Sequence, residues 1–296
     1  MAFNLAWDKE GEKLYETGVD RGVLYVYDTA NHKYGNGVAW NGLTSINDSP
    51  SGADPTDLWA DNIKYISIRA AEEYGFTINA YMSPDEFDQC DGMATPIKGV
   101  RISGQNRKMF GFSYRSLIGN DTDLNDHGYE IHLIYGATCS PSDKDRSTVN
   151  DSPDAIEFSW ECTTVPVPVG GNLKATAHIV VKSTDFDMSN SADKALWDGF
   201  EELVYGKIGG ANDYTVVSFS GSGTAQSPYV PAYEPSKYYT RSGSEGSYTY
   251  TLITTTTEPS GWGTADTFYT KNDLPATLPS PAEVIEYFGG DIDAVG

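Results

Sequence analysis

The sequence predicts a mainly-β protein built from antiparallel strands, with two helices late in the chain. Three observations carry that prediction. Tyr (20) and Phe (11) are abundant, and aromatic side chains suit a pleated, half-buried surface. Short apolar and polar alternations recur along the first two-thirds, separated by Gly, Pro, Asn and Asp. That is the two-residue period of strands with the punctuation of turns. Runs with the 3.6-residue period of a helix are few.

In chain order, strands are expected at "VAWNGLTSI" (38–46), "IKYISIRA" (63–70), "GFTINAYM" (75–82), "MFGFSYRS" (109–116), "YEIHLIYGAT" (129–138), "AIEFSWECT" (155–163) and "TAHIVVKS" (176–183). In the sixth, alternation places Ile156, Phe158, Trp160 and Cys162 on one face and Glu157, Ser159, Glu161 and Thr163 on the other. "SPDEFDQCDG", after the third strand, reads as a short capped turn. A helix over 191–206 lays Ala195, Leu196, Phe200, Leu203 and Val204 along one stripe, with Ser191 as N-cap and Gly206 as its stop. A second, over 280–290, has Ser280 as cap, Pro281 at the first helical position and Gly289 at its end. Between the helices, residues 212–272 are rich in Ser, Thr and aromatics and lack Cys and Met. They read as a small β insertion, with strands in "YTVVSFS" and "GSYTYTLITTTT". The expected organisation is a β domain over 1–211, the insertion over 212–272, and a tail over 273–296 that returns to the first domain.

The chain carries 20 basic and 42 acidic residues, a net charge of −22, which opposes tight binding to nucleic acid or an anionic membrane. It has no apolar run of about 18 residues, and its start lacks the pattern of a signal peptide, so a soluble protein made in the cytoplasm is expected. Cys90, Cys139 and Cys162 are odd in number and far apart, without a CxxC pair. That favours idle buried thiols over a disulfide framework or a zinc site.

Other motifs resolve to local structure. Asp48, Asp54, Asp57 and Asp61 are offset by 6, 9 and 13 residues, which does not match a calcium loop, so they read as solvated acids. His127 and His132 in "HGYEIH" are five apart, and an odd separation in a strand sends them to opposite faces. "NDSP" at 47–50 and 150–153 is turn chemistry. "FSGSGT" (219–224) lacks the spacing of a nucleophile elbow, and no phosphate loop, dinucleotide fingerprint or recognisable carboxylate pair is present. No catalytic residue, cofactor or metal is therefore predicted. Aromatics in the insertion could stack on sugars, which keeps a carbohydrate-binding or adhesive β-sandwich as the alternative function; cross-strand packing is the plainer use of such residues.

The stretches "WDKEGEKLYETGVDRGVLY" (7–25), "GVAWNGLTSINDSPSGADPTDLWADNIKY" (37–65), "GFTINAYMSPDEFDQCDG" (75–92), "RKMFGFSYRSLIGND" (107–121), "STVNDSPDAIEFSWECTTVPV" (147–167) and "LPATLPSPAEVIEYFGG" (274–290) together resemble the major tail proteins of long, non-contractile tailed bacteriophages. The 212–272 insertion departs from that pattern. The resemblance implies a tail-tube-type β-sandwich with a flanking helix, whose inner strands join a β-barrel shared by several subunits. It also implies hexameric rings stacked into a virion tail tube through which double-stranded DNA passes during ejection. The implied partners are further copies of the chain and the tape measure, tail terminator and distal tail proteins, with no catalytic residues and no cofactor.

Elementary physics is consistent with such an assembly. A barrel closed by several subunits removes exposed strand edges, and a head-to-tail contact between rings generates a filament. The polar strand faces would line the lumen, with Glu157 and Glu161 as the leading candidates and Glu72 and Glu73 at the "AAEEYG" hairpin as weaker ones. Like charge within a Debye length of about 8 Å would keep DNA off the wall. Lys64 and Arg69 are candidate partners for those acids or interface residues. The connection 47–62 is long for a compact domain and reads as an inter-ring loop: Pro50 and Pro55 stiffen it, Leu58 and Trp59 dock on a neighbour, and Asp54, Asp57 and Asp61 form a polar surround.

Overall fold

The computed structural model describes residues 7, 9–52, 54–69, 72–142, 144–146, 148, 155–209, 214–216, 236–242, 249–257, 259, 260, 262, 268–271 and 273–290. The chain divides into two compact units, Met1–Tyr205 with Ala276–Gly296, and Gly206–Pro275. The boundaries expected from composition, at 211/212 and 272/273, fall inside the second unit.

The first unit is mainly β. Its strands are β1 (Tyr15–Asp28), β2 (Lys33–Tyr34), β3 (Val38–Trp40), β4 (Leu43–Asp48), β5 (Ser51–Gly52), β6 (Pro55–Ala60), β7 (Ile63–Arg69), β8 (Glu72–Glu73), β9 (Gly75–Ala80), β10 (Ala94–Ile97), β11 (Val100–Ile102), β12 (Phe110–Asn120), β13 (Leu124–Cys139), β14 (Phe158–Thr164) and β15 (His178–Lys182). A large antiparallel sheet runs β2-β1-β12-β13-β14-β9-β4, with β15 added on β13 and β3 on β1. The strand expected over 38–46 breaks at Gly42, whose φ of 81° suits a residue without a Cβ. Its first part therefore pairs with β1 and its second with β9. β1 escapes sequence periodicity because its pairing with β12 slips between Thr17 and Val19 and between Asp20 and Val23. Gly18 and Arg21 adopt positive φ at those bulges.

Side-chain alternation creates two cores. Leu24 faces the first core and its neighbours Val23 and Tyr25 the second. On β13, Ile131, Leu133 and Tyr135 point to the second core, while Ile134, Ala137 and Cys139 share the first. Gly136 makes that switch of parity: its φ is 62°, and a Cβ there would stand 2.2 Å from the Val165 carbonyl oxygen. In the first core the β4-β9-β14 half of the sheet packs on the β1-β12-β13 half. Phe76 stacks on Phe112 with centroids 6.2 Å apart, and Trp40 meets Trp160 edge-on at 5.4 Å. β14 shows the predicted alternation, with Trp160 and Cys162 buried and Ser159, Glu161 and Thr163 exposed.

The second core is closed by α1 (Ser191–Tyr205) and α2 (Pro281–Tyr287). α1 buries Trp197, Phe200 and Val204, and Ala195 is exposed. The stripe is rotated from the predicted one because the indole of Trp197 both fills the core and donates to the Tyr129 hydroxyl at 2.7 Å. Asn190, not Ser191, caps this helix: its side-chain oxygen accepts the Ala192 N–H at 3.0 Å. α2 has the predicted cap, with Ser280 and Glu283 forming a reciprocal capping box and Pro281 at its start. No helix among the described residues is long and apolar enough to cross a membrane.

The second unit contains β16 (Tyr214–Val216), β17 (Tyr238–Ser242), β18 (Thr249–Leu252) and β19 (Phe268–Lys271), in the order β16-β19-β17-β18. Its small core joins Tyr238 and Phe268 with Ile253 and Trp262. Residues 217–220 of the predicted strand, the whole of "FSGSGT" and the second "NDSP" lie outside the described residues.

Candidate assembly surface

The stretch predicted as a sixteen-residue connection is a β-hairpin. β6 pairs with β7 from Pro55/Arg69 to Ala60/Ile63, and Ser51/Glu73 and Gly52/Glu72 extend the ladder towards the sheet. Asp61 and Asn62 form the two-residue turn with φ of 54° and 63°. Two consecutive positive φ values are the turn geometry whose twist matches paired strands, and Asp and Asn tolerate it best after Gly. The predicted strand over 63–70 is thus the return arm of this hairpin and not a member of the main sheet. Its apolar alternation, which normally marks a buried face, belongs to a segment with every described residue exposed.

That exposure is large. Trp59 is 68% exposed, Ile63 62% and Tyr65 71%, and Leu58, Ile66 and Ile68 are open as well. Leu58 lies opposite Ile66 and Thr56 opposite Ile68, so these four share one side of the ribbon, while Asp57 opposite Ser67 is on the other. The Asp57 carboxylate is held by Lys64 and by the Ser67 hydroxyl, both at 2.7 Å. These contacts pull its pKa below the usual carboxylate range. Asp61 sits in the turn, Asp54 just before β6, and Pro50 between β4 and β5. Asp48 is occupied elsewhere, accepting from the Tyr74 hydroxyl at 2.6 Å. The aspartates therefore occupy separate positions along an arm. A two-stranded ribbon with this apolar load is marginal in water on its own, and a contiguous exposed apolar patch marks a contact surface.

The outer face of the β4-β9-β14 half is polar. Register aligns Asn47 with Thr77 and Glu161, and Ser45 with Asn79 and Ser159. Asn79 donates to Ser45 at 2.9 Å. Glu157 precedes β14, is exposed, and accepts from the Thr44 hydroxyl; Glu161 is exposed within the strand. Glu73 is exposed in β8 at the base of the hairpin, while the side chain of Glu72 lies outside the described residues. The four candidate acids accordingly divide between two places, Glu161 in β14 with Glu157 just before it, and Glu72 and Glu73 in β8 at the hairpin base. β4 ends the sheet order, and among the described residues its outer edge has no strand partner.

A buried polar cluster, which motif spacing does not reveal, sits on the first-core side of β12, β13 and β15. Tyr114, His132, His178 and Tyr74 stack in sequence, with centroid separations of 4.3, 5.3 and 4.6 Å. His132 Nδ1 lies 3.1 Å from His178 Nε2, and its Nε2 lies 2.9 Å from the Ser116 hydroxyl. Burial lowers the pKa of His132 despite the pull of Glu130 and Glu16, and holds that of His178 down to about 4. Both rings are thus neutral at pH 7. Glu16, Glu130 and His132 bring ligand-type atoms within 4.8 Å of one another, but Glu130 is already paired with Lys182 at 2.8 Å and His132 with Ser116 and His178. His127 is apart from them, beside Asn120 and Asp123.

The chain matches no protein-family model, and comparison with the curated proteins finds no relative.

Proposed function

We propose that this protein is a structural subunit that assembles with copies of itself into stacked, hexameric rings, forming the tail tube of a long-tailed bacteriophage. The observation that carries the reading is the β6-β7 hairpin: a specified turn, a ladder with one register shift after Leu58, and exposed apolar side chains on an arm whose described residues the subunit's own core does not use. Burying such an arm against the next ring would give the hydrophobic gain that the isolated subunit forgoes. The open edge of β4 supports the same reading, since edge-to-edge pairing around a ring turns the polar β4-β9-β14 face into the wall of a shared barrel.

In that assembly the two-halved sheet is a tail-tube sandwich flanked by α1 and α2. Glu157 and Glu161 line a lumen that repels the phosphates of passing DNA, with Glu72 and Glu73 near the ring junction. The unit spanning Gly206–Pro275 is a decoration of the tube. The subunit performs no catalysis, and its further partners are the tape measure, terminator and distal tail proteins of the virion. Negative-stain microscopy of the purified full chain over rising concentration tests the proposal. Rings or tubes are expected, if necessary with a tail-tip seed; a protein that stays monomeric under all these conditions would contradict it.

A further inference from the structure

The sequence treats Cys139 and Cys162 as distant thiols, yet β13 and β14 place them directly opposite one another. The Ser140 N–H donates to the Glu161 carbonyl at 2.8 Å, so residues 140 and 161 are a hydrogen-bonded pair. Alternation along an antiparallel ladder then makes 139 and 162 the narrow, non-hydrogen-bonded pair. The Cα separation of such a pair, about 4.5 Å, lies inside the roughly 4.4–6.8 Å window that a disulfide bridges. The two sulfurs stand 2.8 Å apart, both buried in the first core. Cys90 shares that core as a third buried thiol.

We propose that Cys139 and Cys162 are an oxidisable pair that closes to an intrachain disulfide on exposure to a hydroperoxide, leaving Cys90 as a free thiol. One cysteine, as thiolate, attacks a peroxide oxygen: the S–O bond forms, the O–O bond breaks, and the departing hydroxide takes up a proton as water. The second sulfur displaces the sulfenic oxygen, which leaves as water with the remaining proton. Overall two thiols lose two electrons and two protons, and one hydrogen peroxide becomes two waters. Burial raises the thiol pKa of both Cys90, to about 12, and Cys139, so what sets the pair apart from Cys90 is the facing geometry of its two sulfurs and not acidity.

The position gives the bond a mechanical consequence. β14 joins the β9-β4 half of the sheet to β13 through the short run Ala137/Thr164, Thr138/Thr163 and Cys139/Cys162, flanked by the Val165–Gly136 and Ser140–Glu161 backbone hydrogen bonds. A covalent link at Cys139/Cys162 fixes that joint. A chain made in a reducing compartment would fold as the dithiol and acquire the link in an oxidising one.

The test uses the purified full chain, desalted from reductant, treated with hydrogen peroxide, quenched, denatured and alkylated with N-ethylmaleimide before peptide mapping. The expected product is one linked peptide pair containing Cys139 and Cys162, two mass units lighter than its reduced form, with a single maleimide on Cys90. Its Tm should stand about 5–10 °C above that of the reduced protein. Cys90→Ala should form the same link and Cys162→Ser should not. Three alkylated cysteines after peroxide, a link that includes Cys90, or separate sulfinic acids on Cys139 and Cys162 would each overturn the proposal. The wild-type map decides the matter even if Cys162→Ser fails to fold.

Discussion

His178 stacks between Tyr74 and His132, and its environment makes the fold sensitive to acid. It faces His132 from β13 and Tyr74 beside β9, with Tyr114 on β12 and Asp48 on β4 close by, and Glu130, Glu16 and Lys182 surrounding His132. Its folded pKa of about 4 lies below the ordinary histidine value of about 6.5. Above the higher value both folded and unfolded chains hold a neutral ring, and the stack contributes fully. As pH falls from about 6.5 towards 4, the unfolded chain takes up a proton that the folded one refuses, so stability falls with pH across that window. The loss should be on the order of 2 kcal/mol once the ring's partial exposure is allowed for. Urea unfolding at pH 7.5 and pH 5 measures it, with His178→Phe as the control that keeps the ring and removes the proton site. Wild type should lose more stability than the variant, and equal losses would refute the assignment.

The hairpin of β6 and β7 is the element on which sequence and structure differ most, and the reason is physical. Alternating apolar residues normally report a face packed on the protein's own core, so "IKYISIRA" reads as a sheet strand when it is a projecting arm. Periodicity shows that a face is apolar and is silent on what covers it. That Leu58 and Trp59 are apolar residues in a polar stretch was legible, and both are exposed, whereas their partner strand and the Asp61-Asn62 turn were not, because Asp-Asn is a weaker hairpin signal than Asn-Gly. β1 was hidden by bulges at Gly18 and Arg21, and the histidine stack because it is assembled from four separate segments. The core strands β9, β12, β13 and β14 and the cap of α2 were legible, since each satisfies a local rule without help from distant residues. As Trp59 is 68% exposed, Trp59→Ala should leave the subunit's Tm within about 2 °C of wild type. It should still weaken association by tenfold or more, as truncation of a central aromatic anchor does. Light scattering against concentration reads the second effect, and assembly indistinguishable from wild type would remove the hairpin from the account.

For a molecule with net charge −22 to self-associate, it must concentrate its adhesive surface and keep its charge where repulsion is harmless or useful. In the proposed assembly the hairpin meets the first requirement and the exposed acids the second. Reversing the sheet acids with Glu157→Lys and Glu161→Lys should leave ring formation intact, because neither residue lies on the hairpin. It should lower DNA delivery by assembled particles, because a wall that offers phosphate partners retards a sliding duplex. Infectivity and tube yield, measured together, separate those effects; unchanged infectivity would relocate the lumen. The most direct test of the central claim is a cryo-microscopy map of the assembled full-length protein. The account predicts stacked rings in which residues 55–69 of each subunit are buried against a subunit of the adjacent ring. Tubes in which that hairpin stands free in solvent, or particles that never progress beyond monomers, would contradict it.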